Sequence, residues 1–409
     1  MNKKTLYQFS ENTISLVAIK AIDLGLTLWL IPFLIVKVGI ENYGIYAFAM
    51  ALMVFFVNIL NYGFSLSAVR EIAKNKGDLL KINQLFNEVI SVKVVLFIVE
   101  YMLFIGLIWI VPKFWEHKTI YFFTSFMLVG ELFSLRWFFL GMEKMKFAAF
   151  VNLGRTILYV GLVLFFVNTT SDYKYIPLLE AIGIILVGII TFIWALKRYR
   201  LTLKFTSLKE VFMYLKLNFS SFINSFLPST FGTVIVFLVG IFGLPQHVSL
   251  MHIGLKITNA FSTINAILTK VFYPMINRTK KIIPPSRILL LFMGAFLSLL
   301  LFFGSDYLIT HWLTFENRED YREIVIIVKI LSPIPFLMAV ISSYGIHGLL
   351  TYYKDVLYSK ITSITIVLTV VLGCFLIPNY SFFGGAITLL MGRLVYAGWS
   401  YIAFNKIKS

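Results

Sequence analysis

Apolar stretches of about twenty residues alternate with short polar breaks along the whole chain, and inside them the hydrophobic positions do not fall on every second residue as they would in a strand. At about 1.5 Å of rise per residue, a helix of that length crosses a hydrocarbon layer about 30 Å thick. The pattern predicts spanning helices over residues 12–36, 42–66, 88–111, 119–140, 148–168, 175–196, 212–241, 248–276, 288–309, 324–349, 356–377 and 382–404. The seventh is the most diluted, by Asn218, Ser220, Ser221, Asn224 and Ser225. Every connection is too short to fold as a domain of its own. Two of the longer ones, 67–87 and 197–211, are expected to form amphipathic helices at the membrane surface; in the first, Leu79, Ile82, Leu85 and Phe86 recur at helical spacing between lysines.

Composition excludes a water-soluble alternative. The 409 residues are 59% hydrophobic and 13% charged, about half the charge of a soluble domain, so lipid must be the solvent for much of the surface. Lipid offers no partner for backbone N–H and C=O groups, which leaves helix bundles or closed barrels. Barrel strands read as alternating segments of about ten residues, so the apolar runs here select an all-α integral membrane fold. The connection at 201–211 follows the sixth span and divides the chain into an N-terminal six-helix bundle, 1–200, and a C-terminal one, 212–409.

The net charge of +17 would suggest a nucleic-acid partner in a soluble protein. Its distribution changes that reading. Twenty lysines and arginines lie in alternate connections on one side and six on the other, which predicts both termini in the cytoplasm, an even number of spans and no nucleic acid. The first span, interrupted by Lys20 and Asp23, reads as retained rather than as a cleaved leader. One cysteine, Cys374, excludes a disulfide framework and a cysteine-based metal centre. No cofactor is expected beyond a coupling H⁺ or Na⁺.

Ten cations fall inside the expected spans: Lys20, Lys93, Arg136, Arg155, Lys216, Lys256, Lys270, Lys329, Lys360 and Arg393. Lys93, Lys216, Lys360 and Arg393 lie near span ends, where a long stem can lift the charge to the headgroups. A charge at the bilayer centre costs about 3 kcal/mol, so the deeper ones imply a hydrated interior. Lys20 and Asp23, three residues apart, share a helix face with Thr27 and are placed to pair. Lys256 and Lys270, about four turns apart, share another with Asn259 and Thr263. Asn58, Asn61 and Ser65, and likewise Asn218, Ser221, Ser225 and Ser229, make uncharged polar stripes. Acids are fewer: Asp23, Glu100, Glu131 and Glu180. Asp23, Glu100 and Glu131 are candidates to carry the coupling ion, or to neutralise neighbouring cations. A surplus of positive charge suits a phosphate or pyrophosphate head, because low dielectric strengthens that attraction. The candidate substrate-binding set is Lys20, Asp23, Arg70, Arg136, Arg155, Lys256 and Lys270.

Three segments carry a resemblance: Glu41-Asn-Tyr-Gly-Ile-Tyr, Asn61-Tyr-Gly-Phe-Ser-Leu-Ser-Ala-Val-Arg-Glu-Ile-Ala after the second span, and Trp137-Phe-Phe-Leu-Gly-Met-Glu-Lys-Met-Lys-Phe after the fourth. Together with Val271-Phe-Tyr-Pro-Met-Ile, they resemble the matching regions of Wzx-type polysaccharide flippases, and the likeness in span order covers essentially the whole chain. That family lies in the MOP superfamily. The resemblance implies two six-helix bundles in a V around a central cavity and a bacterial inner-membrane location. Its implied substrate is an undecaprenyl-pyrophosphate-linked oligosaccharide repeat of O-antigen or lipopolysaccharide type, moved to the outer leaflet by alternating access. A polysaccharide polymerase and a chain-length regulator are its implied partners. The related lipid II flippase uses cations at positions similar to Lys20, Arg70 and Lys256.

Two other readings stand beside this one. A multidrug cation antiporter of the same superfamily calls for an acidic cavity, which the surplus of cations disfavours. A membrane polysaccharide polymerase or glycosyltransferase calls for catalytic groups on a sizeable external loop, and the longest candidate is Thr310–Glu323.

Overall fold

A computed structural model of the chain describes residues 3–278, 283–313 and 318–408; Lys280, Lys281 and residues 314–317 of the Thr310–Glu323 connection lie outside them. Among the described residues the structure is helical, without strands. In order the helices are α1 Lys3–Val38, α2 Ile40–Leu60, α3 Ser67–Lys74, α4 Leu79–Ile110, α5 Pro112–Glu116, α6 Lys118–Leu132, α7 Arg136–Gly141, α8 Met145–Phe166, α9 Ile176–Tyr199, α10 Leu208–Phe242, α11 Pro245–Arg278, α12 Ile283–Trp312, α13 Arg318–Leu331, α14 Ile334–Val340 and α15 Asp355–Lys408. The all-α membrane class expected from the apolar runs is borne out: among the described residues ten segments are long and apolar enough to cross a bilayer. The eighth expected span coincides with the 34-residue α11, which is not among those ten, and the last two lie within the 54-residue α15. There Ser381 (φ 48°, ψ −131°) leaves helical geometry just after Pro378, at the break between the two expected spans.

Local chemistry sets several boundaries. Asp78 caps α4 by accepting from the Lys81 N–H at 3.0 Å. Pro112 opens α5, where its missing N–H costs nothing. After α2 the chain turns through Tyr62 (φ 36°) and Gly63 (φ 70°); a Cβ on Gly63 would run into the Ser221 carbonyl, so glycine answers both the left-handed backbone and the close approach.

Two connections differ in part from expectation: within 67–87 a short helix does form, α3, with Ser67, Ala68 and Ile72 buried on one side. Leu79–Phe86 is the opening of α4 rather than a separate surface helix, and Ile82, Leu85 and Phe86 are buried because α4 carries that stripe directly into the core. Residues 201–207 are not helical either. They run along α4 as a strap: the N–H groups of Thr202, Lys204 and Thr206 donate to Asn83 Oδ1 (2.9 Å), Asn87 Oδ1 (3.1 Å) and Ser91 Oγ (3.0 Å). Every second amide of the strap meets every fourth residue of the helix, because the two advance by nearly the same length per step, about 6.6 and about 6.0 Å.

Two compact units result. The first comprises Met1–Leu30 and Ala49–Thr230, the second Ile31–Phe48 and Phe231–Ser409. The 201–211 connection therefore lies inside the first unit, and the change from one to the other falls within α10. The first unit is centred on an aromatic core of Phe64, Phe86, Trp137, Phe138 and Phe139, with Phe86 and Phe138 edge to face. The second has its own core, including Leu337, Ile361, Tyr396 and Phe404. Phe165, Phe303 and Ile110 point outward as lipid-facing side chains do.

Candidate functional site

The first unit collects most of the candidate charges. Lys93, expected to reach the headgroups, is instead fully buried at 0% exposure. Its ammonium donates to the main-chain oxygens of Glu131 (2.6 Å) and Ser134 (3.2 Å), at the C-terminal exit of α6. The reason is a better acceptor than the membrane surface: the last carbonyls of a helix lack internal partners and carry the negative end of its dipole. The Glu131 carboxylate accepts from Asn61 Nδ2 at 3.0 Å, tying α6 to the turn after α2. Glu100, two turns along α4 from Lys93, is 2% exposed, and neither carboxyl oxygen has a hydrogen-bond partner.

Asp23 does not pair with Lys20. Its oxygens accept from Asn152 Nδ2 (2.9 Å) and Thr156 Oγ1 (2.5 Å), two residues one turn apart on α8. Those donors satisfy the carboxylate, and Lys20 stays exposed on α1. Arg155 is half-buried, its guanidinium 3.9 Å from Glu180 on α9. Arg70 is exposed on α3, and Arg136, the first residue of α7, is exposed too.

In the second unit Lys256 is half-buried on α11, one turn beyond His252, whose Nδ1 lies 3.1 Å from the Tyr43 hydroxyl. Lys270 is exposed on the same helix. Lys329 pairs with Asp306 at 2.7 Å. Two arginines have aromatic company. Arg393, also expected at the headgroups, has its guanidinium 4.0 Å from the Phe231 ring centroid, with Nε buried and unpartnered. Arg287 lies over Tyr344 and Phe404 at 4.3 and 4.8 Å, with Nε and Nη2 buried and unpartnered. Of the four span-end cations, Lys216 and Lys360 remain exposed, as headgroup ligands would be.

The charges thus include a set with polar partners in the first unit (Asp23, Lys93, Glu131, Arg155), with Glu100 buried and unpartnered on the same helix as Lys93, and in the second unit a ring-backed pair, Arg287 and Arg393, besides the Lys329–Asp306 ion pair. Sequence reasoning put Lys93 and Arg393 at the headgroups, and it missed Asn152, Thr156 and Arg287. The spacing of Lys93 and Glu100, seven residues on one helix face, and of Asn152 and Thr156, four residues apart, was the available signal. Among the described residues no cluster of His, Cys, Asp or Glu could hold a metal ion.

The segments carrying the resemblance are mostly structural. Tyr62 stacks on Phe222 at 4.7 Å and donates its hydroxyl to the Leu215 carbonyl at 3.0 Å. Trp137, Phe138 and Phe139 fill the aromatic core, and Gly141 lets α7 lie close against Ile72 of α3.

Residues 9–280 match the family described as "Polysaccharide biosynthesis protein". The chain is 30% identical over 388 residues to the "Putative O-antigen transporter" of Escherichia coli (strain K12), spanning 93% of this chain and 92% of that one. Its fold is similar to that of the lipid II flippase MurJ in an inward closed conformation, with a TM-score of 0.77, 14% identity and coverage of 98% of this chain and 88% of that one. It is also similar to an inward-facing multidrug-resistance MATE family transporter of the MOP superfamily, with a TM-score of 0.67, 11% identity and coverage of 97% and 99%.

Proposed function

This chain belongs to the polysaccharide biosynthesis protein family, and from that premise we propose that it is a flippase that carries undecaprenyl-pyrophosphate-linked oligosaccharide repeats from the cytoplasmic to the outer leaflet of a bacterial inner membrane. The observation that carries the reading is the 30% identity to an O-antigen transporter over nearly the full length of both chains. The protein is a transporter, not an enzyme. The surplus of in-span cations supports an anionic head as cargo and weighs against an organic cation. Lys20, Arg155, Lys256 and Lys270 are the side chains proposed to offset the diphosphate, with Arg70 and Arg136 at its entry. With α11 counted as a crossing and α15 as two, the chain has twelve spans and both termini in the cytoplasm. The flipped repeat passes to a polymerase and chain-length regulator.

The test is where the repeat unit accumulates when the gene is deleted. Build-up of lipid-linked repeats on the inner leaflet, reversed by the intact gene, is the expected result; export that continues undiminished overturns the proposal. Lys20→Ala should impair export while leaving membrane insertion intact. Normal export in that variant removes Lys20 from the path.

A further inference from the structure

We propose that Glu100 is a proton-carrying site of the transport cycle, a carboxyl in the first unit that takes up and releases one proton per cycle beside the fixed charge of Lys93. The inference rests on the transport reading above and deepens it by naming the coupling ion and its seat.

Three observations on α4 and its neighbours support it. First, Glu100 is 2% exposed and both its oxygens lack a hydrogen-bond partner. A carboxylate held that way in a low-dielectric interior is costly, whereas the neutral acid is tolerated. Second, a carboxyl two turns away from a wholly buried ammonium belongs to a countable set. Lys93 is bracketed by Glu131 and Glu100, and the three are neutral together when one acid is protonated. Glu131 is half-exposed, and its carboxylate has a hydrogen-bond donor in Asn61. Glu100 has none, and the proton belongs there. Third, the surroundings select a proton over a metal cation. Na⁺ and other hard cations want several oxygen ligands. Among the described residues neither Glu100 oxygen has a hydrogen-bond partner that could join such a shell, so a proton fits and a metal cation does not.

The titratable and charged groups on the elements packed against α4 are Lys118, Tyr121 and Glu131 from α6, Lys113 and Glu116 from α5, and Arg70, Glu71 and Lys74 from α3. On α4 itself Lys93 and Tyr101 flank Glu100, and Tyr101 is engaged with Ser125. Lys93 is the charge that acts on Glu100. The step is an O–H bond formed at one Glu100 oxygen with a proton from water on the outer side. It is broken later by transfer to water on the cytoplasmic side, so one positive charge moves inward for each repeat moved outward.

The experiment replaces the gene in its own host with the intact sequence, Glu100→Gln or Glu100→Asp. It measures the host's surface polysaccharide at acidic and alkaline external pH, and the unfolding temperature of each purified full-length protein. Glu100→Gln mimics the neutral acid, so it should unfold with the intact protein yet export about tenfold less or worse, with little dependence on external pH. Glu100→Asp should restore part of the export with a displaced pH dependence. Export by Glu100→Gln at the intact level with the intact pH dependence overturns the proposal. So does a Glu100→Gln protein that unfolds early while Glu100→Asp keeps the intact pH profile, because the carboxyl is then structural. If the intact gene itself fails to restore surface polysaccharide, the transport reading falls first, which separates the two failures.

Discussion

The two units hold charge within the spans in different ways. In the first, Lys93 meets main-chain oxygens at a helix end, Asp23 meets an amide and a hydroxyl, and Arg155 meets Glu180. In the second, Arg287 and Arg393 lie on the faces of Tyr344, Phe404 and Phe231, with guanidinium N–H groups left unpartnered. A desolvated cation–π contact contributes about 2 kcal/mol, and each unpartnered buried donor costs about 1–3 kcal/mol, so the ring-backed arginines gain little net stability. Hydrogen-bonded charge holds the first unit together. Ring-backed charge in the second is cheap to rearrange.

Removing Lys93 should have the largest effect on that contrast. Lys93→Met should destabilise the protein by about 3 kcal/mol in detergent unfolding experiments, because the carbonyls of Glu131 and Ser134 lose their cap. The exposed Lys360→Met serves as its control, at about 0.5 kcal/mol or less. Next, Asp23→Leu should cost about 2 kcal/mol by leaving Asn152 and Thr156 without an acceptor, and Asp23→Leu/Asn152→Leu should recover part of that loss in a double-mutant cycle. Arg393→Met should change stability by about 1 kcal/mol or less in either direction, since lost ring contact and relieved desolvation oppose each other. A loss as large as that of Lys93→Met would erase the distinction between the units. Smallest is Lys76→Ala, which breaks the exposed pair with Glu143 and should cost about 0.5 kcal/mol, diminishing further in salt.

The class of fold was legible because a spanning helix announces itself by length and apolarity alone, without reference to any partner. The break at Ser381 was legible for a similar reason: Pro378-Asn-Tyr-Ser interrupts an apolar run. What stayed hidden depends on a second segment. Nearness to a span end makes Lys93 look ready to reach the headgroups, but the main-chain oxygens that hold it, of Glu131 and Ser134, lie where α6 ends, 38 and 41 residues on. Asp23 has a lysine three residues away and takes its partners from 129 and 133 residues away instead. The 197–211 connection has the charge of a surface helix, and the asparagines and serine that draw residues 201–207 out straight sit on α4.

That strap also limits itself. The extended chain gains about 0.6 Å on the helix at each step, so three rungs accumulate an offset that a fourth could not absorb. The fourth would face Val95, which offers no acceptor, and Leu208, where α10 has already begun. The segment therefore acts as a ruler of fixed length and phase. Adding two residues would slip it by one whole division, whereas adding one would turn every amide away from the helix, so indels here should be tolerated in pairs and not singly.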